Sequence, residues 1–195
     1  MGSPDLDLTE PDAPALSAAQ ARVLTAALNL FARHGVGGTS LQMIADEIGV
    51  TKAAVYHQYN TKEEIVLAAA ELELSRVERI VAVAETQPTQ RQARDALVAG
   101  MVDLAIAHRR EMGDILTDPV IVEHFAQNRA FADVMHRMRR VLMGEDAGPE
   151  THVRTAMLVA AISGAAIHPF VAGLDDDVLR EELLGLARRM LSLPS

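Results

Sequence analysis

Residues 39–62, TSLQMIADEIGVTKAAVYHQYNTK, combine polar and apolar side chains in a spacing that suits contact with a DNA groove. Thr51, Lys52, Tyr56 and His57 carry hydroxyl, ammonium and imidazole groups, which are able to bind phosphates and base edges. The two alanines between Lys52 and Tyr56 are small enough to let a helix approach the bases closely. The pattern therefore predicts nucleic-acid recognition by a short helix.

Two short helices and a tight turn are needed to position these side chains. Thr39 and Ser40 are predicted caps for a helix over residues 41–48, and Gly49 allows the chain to turn. Thr51 can cap the next helix, which is predicted to continue through residue 56. The segment is thus predicted to be a helix-turn-helix, in which the first helix braces the second.

The remaining segments are predicted to be helical as well. Aromatic residues make up 3% of the chain and cysteine is absent, so aliphatic side chains must fill the core. Abundant Ala, Leu, Val and Met favour an all-α fold over a sheet. Helical periodicity and capping residues predict further helices over residues 17–35, 62–85, 89–109, 119–128, 131–143, 150–173 and 175–191. A Thr61-x-x-Glu64 capping box is expected at the start of the fourth helix.

Residues 26–65, AALNLFARHGVGGTSLQMIADEIGVTKAAVYHQYNTKEEI, resemble the DNA-binding domain of the TetR family of transcriptional regulators. The matching positions are Phe31, Gly35, Thr39, Ile44, Ala45, Gly49, Val50, Tyr56, Lys62, Glu63 and Ile65. The resemblance implies an all-α chain of about nine helices. A three-helix N-terminal helix-turn-helix domain would precede a larger helical domain for ligand binding and dimerisation.

The resemblance also implies roles for individual side chains. It places Thr39, Ser40, Tyr56, His57 and Lys62 at phosphates. It places Gln42, Thr51, Lys52 and Ala54 at base edges or the backbone. Simpler roles remain open: the threonines as helix caps alone, Lys62 as a solvated surface residue, and His57 as an ordinary exposed side chain. Tyr59, where many members carry Phe, is expected in the core.

Three regions follow from composition and motif. Residues 1–16 contain four acids and no Lys or Arg, which predicts a disordered acidic tail. Residues 17–70 would form the DNA-binding domain, and residues 71–195 the effector-binding and dimerisation domain. No signal peptide or myristoylation signal is present, and a cytoplasmic location is expected.

An effector pocket is expected in the second region. Six of the nine methionines lie between residues 101 and 157, where their adaptable side chains would suit either a small hydrophobic ligand or an aromatic-poor core. With the resemblance, the candidate pocket residues are Met101, His108, Met112, His124, Phe125, Met135, His136 and Met157.

A dimer interface is expected on the last two helices. Residues 156–174 carry no Asp, Glu, Lys or Arg, but their Ala and Gly content and Pro169 argue against a membrane span. A buried helix or a subunit interface explains them better, and Pro169 should kink or end the helix. The candidate interface residues are Ala160, Gly164, Ala165, Leu179, Leu183, Leu186 and Met190.

Charge and missing motifs narrow the function. The net charge is −9, and residues 17–70 hold four basic and four acidic side chains, so DNA binding should depend weakly on salt. No metal-ligand spacing, nucleotide-binding loop or nucleophile motif is present, which predicts neither an enzyme nor a cofactor.

The function expected from these features is a homodimeric repressor that binds a palindromic operator and is released by a small molecule. Two alternatives remain. One is an architectural DNA-binding protein without an effector, and the other is a helical ligand-binding or enzymatic protein that has lost DNA binding.

Overall fold

A computed structural model describes residues 16–109, 119–145 and 148–192 of the chain. These residues form an all-α fold of nine helices, as predicted, and contain no strand. The helices are α1 (Ala18–Gly38), α2 (Leu41–Glu47), α3 (Lys52–Gln58), α4 (Lys62–Glu85), α5 (Gln90–His108), α6 (Pro119–Gln127), α7 (Arg129–Met143), α8 (Pro149–Ile167) and α9 (Asp176–Ser192). The acidic tail predicted for residues 1–16 lies outside the described residues, apart from Leu16.

Polar caps begin most of these helices, since a helix N-terminus leaves backbone N–H groups unpaired. Ser17 and Gln20 form a complete capping box at α1. At α4 the expected capping box is only half formed. The Thr61 hydroxyl accepts from the Glu64 N–H at 3.1 Å, but the Glu64 carboxylate accepts from the backbone of Asn60 at 2.7 Å. The reason is that Asn60 also offers its side-chain amide to the same carboxylate.

The C-terminal ends of α1 and α8 differ in how well the sequence predicted them. Gly35 leaves the helical conformation at φ 72°, as expected for a stop, and a last turn of α1 follows it. The helix predicted over residues 150–173 ends earlier, at Ile167, and Pro169–Val171 form a 3-10 turn, which confirms the prediction that Pro169 would kink or end the helix. Pro169 has no N–H to continue the α-helical pattern. No helix among the described residues is long and apolar enough to cross a membrane.

The helices enclose two hydrophobic cores. The N-terminal core joins α1, α2, α3 and the first half of α4, and it includes fully buried Ile44, Val55 and Ile65. The C-terminal core joins the second half of α4 with α5, α7, α8 and α9. α4 therefore runs through both cores.

α6 also connects the two cores. Its Ile121 is completely buried within the N-terminal core, whose other fully buried members belong to residues 23–70. One turn later, Phe125 packs against both cores and stacks on Phe131 of α7, with 4.5 Å between the ring centroids. A residue assigned by sequence to the second region thus completes the core of the first.

Candidate nucleic-acid interface

The helix-turn-helix is built around Val55 of α3, whose side chain is completely buried in the N-terminal core. Gly49 makes the turn at φ 69°, a conformation that favours glycine. The Val50 N–H then donates to the Ala45 carbonyl at 3.0 Å, which closes the turn against α2. Because Val55 fixes the inner side of α3, the opposite side faces solvent.

The outer side of α3 carries the side chains that the sequence selected. Thr51, Lys52, Ala54, Tyr56 and His57 are all exposed. The Lys52 ammonium lies 5.5 Å from the centroid of the Tyr56 ring, within the range of a cation–π contact. A charged donor and an aromatic ring thus lie side by side on the exposed surface of α3, and Ala54 is exposed on another part of that surface.

Thr51 has two uses at the start of α3. Its hydroxyl oxygen accepts from the Ala54 N–H at 3.2 Å and so caps the helix. This bond uses an oxygen lone pair and leaves the hydroxyl proton available to donate. The cap therefore leaves Thr51 able to contact a phosphate.

The predicted contacts at the start of α2 divide into different environments. Ser40 is exposed and its hydroxyl accepts from the Met43 N–H at 3.2 Å. Gln42 is exposed, but its amide donates to the Asp46 carboxylate at 2.7 Å. The second N–H and the Oε1 of this amide stay available for a base edge.

Thr39 does not lie on the surface, contrary to the expectation that its hydroxyl meets a phosphate. Its residue exposure is 3%, and the hydroxyl donates to the Gly35 carbonyl at 2.9 Å. Burial favours this internal bond, because an unpaired hydroxyl away from water is costly. The side chain fastens the connection between α1 and α2.

Lys62 is also turned inward, in part. Its ammonium donates to the carbonyls of Val36 at 2.8 Å and Thr39 at 3.2 Å, and the residue is half-buried. Tyr59 lies in the core as predicted, and burial raises the pKa of its hydroxyl. Sequence reasoning missed the Lys62 contacts because both acceptors are backbone atoms distant in the chain.

Local charges keep this face from becoming strongly basic. Arg33 pairs with Glu47 at 2.7 Å, and the Arg22 guanidinium donates to the Ile48 carbonyl at 3.4 Å. Both arginines are therefore engaged beside the helix-turn-helix, while Lys52 faces solvent. Backbone amides and hydroxyls must supply a large share of any phosphate binding.

Comparisons with known proteins agree with this geometry. Residues 23–69 match the model of the family described as bacterial regulatory proteins, tetR family. This match covers the helix-turn-helix and about a quarter of the chain. The HTH-type transcriptional repressor AcnR of Corynebacterium diphtheriae is 27% identical over 136 residues, which cover 64% of this chain and 66% of AcnR. The chain thus aligns with just under two thirds of that relative's length.

Solved structures share the fold over most of the chain. A TerR/AcrR-family regulator from Aquifex aeolicus VF5 has a TM-score of 0.68 at 14% identity, covering 89% of this chain and 99% of that one. AibR, solved in complex with isovaleryl coenzyme A and operator DNA, has a TM-score of 0.61 at 17% identity. That match covers 86% of this chain and 97% of AibR.

The predicted pocket residues occupy different environments in the structure. Met101 is buried in the C-terminal core, and Met135 is half-buried against it. Phe125 bridges the cores, and His136 is exposed. His124 is half-buried, and its ring lies 3.7 Å from the Glu71 carboxylate. The His108 side chain and all of Met112 lie outside the described residues. The last predicted pocket residue is Met157.

Met157 is the clearest exception to the pocket prediction. It is 60% exposed on α8, so it lies on the outer surface rather than in the interior. Its neighbours along this face include Val153, Ala160 and Gly164, all exposed and one or two helical turns apart. Helical periodicity alone could not tell which side of such an apolar helix faces inward.

The predicted dimer residues lie on different sides of their helices, some buried and some exposed. Leu179 and Leu183 are buried in the chain's own C-terminal core, so they are unavailable to a partner, contrary to expectation. Leu186 and Met190 remain exposed on α9, and Ala165 is half-buried. We define the α8–α9 face by the large exposed apolar residues Val153, Met157, Ile167, Phe170, Leu174, Val178, Leu186 and Met190 with the exposed Ala160 and Gly164.

Proposed function

We propose that this protein is a TetR-family transcriptional repressor that binds a palindromic DNA operator as a homodimer. The observation that carries the proposal is the outer side of α3, where Thr51, Lys52, Tyr56 and His57 face solvent while Val55 is fully buried. A recognition helix needs this division between a fixed inner side and a polar outer side. Ser40 and the N-terminus of α2 would add phosphate contacts.

A homodimer is supported by the α8–α9 face. Phe170 is 92% exposed and Met157 is 60% exposed in the single chain. Large apolar side chains exposed together are typical of a surface that a partner covers. Ala160 and Gly164 lie among these residues and would let two helices approach closely. A second copy of the chain would cover this face and set the distance between two α3 helices for half-sites about one helical turn of DNA apart.

Release by a small hydrophobic effector forms the regulatory part of the proposal. The half-buried Phe125 and Met135 belong to the contact region between α6, α7 and the C-terminal core. α4 and α6 both extend from this region into the N-terminal core. An effector that favours a different arrangement of these helices would change the separation of the two heads and weaken operator binding.

Operator binding is tested by selecting duplexes from a random DNA pool with the full-length protein. An enriched palindrome is expected, and His57→Ala should bind it more weakly. His136→Ala is the matched control, because His136 is an exposed helical histidine outside the helix-turn-helix. The logarithmic salt slope for the dimer should be no steeper than about −8.

No enriched duplex from a folded dimer would refute the operator proposal and favour a ligand-binding protein without DNA binding. Operator binding that no small molecule weakens would favour the architectural alternative. An effector, where one exists, should slow hydrogen exchange in α5 and α7, since binding stabilises the elements around it.

Dimerisation is tested by Ala160→Asp, measured by sedimentation at micromolar concentration. The substitution should give a folded monomer, because Ala160 is exposed in the single chain and a charge there would be buried by a partner. Ala132→Asp on α7 is the matched control, as Ala132 is equally an exposed helical alanine outside the α8–α9 face. A dimer that survives Ala160→Asp would place the interface elsewhere.

A further inference from the structure

The imidazole of His124 lies where α6 meets α4 and the start of α7. His124 belongs to the last turn of α6, and its Nε2 atom lies 3.4 Å from the side-chain nitrogen of Asn128 and 3.7 Å from the Glu71 carboxylate of α4. The ring is half-buried between these two partners. A single ring nitrogen thus faces one group in the bend between α6 and α7, residues 127–129, and another on α4.

The orientation of the Asn128 amide is fixed by α7. Its Oδ1 atom accepts from the Phe131 N–H at 3.1 Å and so caps that helix. The amide nitrogen of Asn128, which can only donate, is therefore the atom that faces His124. A donor at this place needs a lone pair on Nε2, so the contact requires a neutral imidazole with its proton on Nδ1.

Glu71 makes the opposite demand on the same nitrogen. A carboxylate can only accept, so it binds Nε2 when that atom carries a proton. In a protonated imidazole both nitrogens are donors, which repels the amide hydrogens of Asn128 and attracts Glu71. A positive charge in the last turn of α6 also suits the helix dipole. Protonation therefore exchanges a partner in the α6–α7 bend for a partner on α4.

The charged residues next to His124 in the chain are directed to solvent. Glu123, which precedes it on α6, is exposed, and so is Arg129, the first residue of α7. Glu71 is the charged group that faces the ring from α4. It directly follows Ala70, which is completely buried in the N-terminal core. The partner gained on protonation is thus attached to the core that contains the helix-turn-helix.

We propose that His124 is a proton-operated switch between the α6–α7 bend and α4. The neutral ring binds Asn128, and the protonated ring ties the end of α6 to Glu71. Because α6 carries Ile121, which is completely buried in the N-terminal core, the protonated form strengthens the hold of α6 on that core. Imidazole groups change charge between about pH 5 and pH 8, where carboxylates are mostly ionised. This response goes beyond the proposed effector, and only its consequence for DNA rests on the proposed operator binding.

Double-mutant cycles of unfolding at about pH 8 and about pH 5.5 test the exchange of partners, since each cycle compares its four proteins at one pH. His124→Ala with Glu71→Gln should show a coupling of about threefold in the unfolding equilibrium constant at the lower pH and none at the higher. His124→Ala with Asn128→Ala should show a coupling at the higher pH that disappears at the lower. A coupling to Glu71 that does not depend on pH, or a coupling to Asn128 that persists in acid, would overturn the switch.

His136→Ala with Glu71→Gln is the matched control. His136 is an exposed histidine of α7 that contacts Arg139, so it should be uncoupled from Glu71 at both pH values. Nitrogen-15 NMR of the wild-type protein tests the switch without any variant, in case one does not fold. At about pH 8 the His124 ring should carry its proton on Nδ1 and leave Nε2 unprotonated. The opposite tautomer would overturn the contact with Asn128.

Operator affinity measures the consequence for DNA. The wild-type protein and Glu71→Gln should bind the selected operator equally at about pH 8, and at about pH 5.5 the wild type should bind more tightly by about twofold to threefold, because it alone gains the bond to α4. Both proteins contain His57, so its titration cancels in the ratio of affinities. A ratio that stays constant would overturn the effect on DNA. Failure of the wild type to bind any duplex would instead refute operator binding, and the DNA-free cycles and NMR would still decide the switch.

Discussion

Replacing Ile121 by alanine is expected to destabilise the helix-turn-helix, although Ile121 lies in α6, beyond the predicted DNA-binding domain. The side chain is 0% exposed and belongs to the N-terminal core together with residues of α1 and α4. The substitution removes buried methyl and methylene groups and leaves a cavity that the surrounding helices fill only in part. Such a change from isoleucine to alanine costs about 2–5 kcal/mol.

The assay is native-state hydrogen exchange of the amides of α1 and α2. The free energy needed to open the N-terminal core should fall by the cost of the cavity. Each 1.36 kcal/mol of this decrease raises the exchange rate by a factor of about ten. An acceleration of about 30-fold or more is therefore expected for amides that exchange when this core opens.

Ile80→Ala is the matched control, because Ile80 is 1% exposed but belongs to the C-terminal core. It should accelerate exchange first in α5 and α7. The reasoning would be refuted if Ile121→Ala left α1 and α2 unchanged, or if both variants gave the same exchange pattern. The first result would mean that residues 17–70 are stable without α6, and the second that both cores open as one cooperative unit.

Three further predictions concern stability. Gly100→Ala should lower Tm by overpacking, since an added Cβ would lie 2.6 Å from a buried isoleucine methyl group of α4. Gly185→Ala should raise Tm, because alanine favours the helix and its Cβ meets only the end of a flexible arginine. Glu85→Gln should lower Tm at pH 7, because the hydrogen bond from Arg137 holds the pKa of Glu85 below its ordinary value of 4.5. This stabilisation exists above pH 4.5 and is lost as the pH falls through the lowered pKa, so wild type and variant should converge in acid. Tyr59→Phe should leave Tm unchanged or raise it, as the buried hydroxyl has no hydrogen-bond partner among the described residues; a clear loss would reveal one.

Local sequence signals were sufficient for most of the helices. Ser17, Ser40, Thr51 and Thr61 each cap the helix that they were predicted to begin, because a capping hydroxyl acts within three residues of itself. Gly49 marks the turn for an equally local reason, its positive φ. The exposed positions on α3 followed from the spacing around Val55 and from the family resemblance.

Long-range partners could not be predicted in the same way. The bonds of Lys62 to Val36 and Thr39 have backbone acceptors, which every residue offers and no sequence pattern marks. The burial of Thr39 depends on the same packing. Ile121 in the N-terminal core is another example, because an apolar residue in α6 shows no sign of which core it enters.

The apolar helices α8 and α9 depend on both local sequence signals and tertiary packing. The sequence of α8 and α9 determined that they would be helical and would bury apolar surface, since their composition is a local property. It placed Leu179 with Leu186 on one stripe, yet the first is buried and the second exposed. Only the tertiary structure decided which side of each helix the chain's own core would cover, because that choice depends on the relative placement of several helices at once.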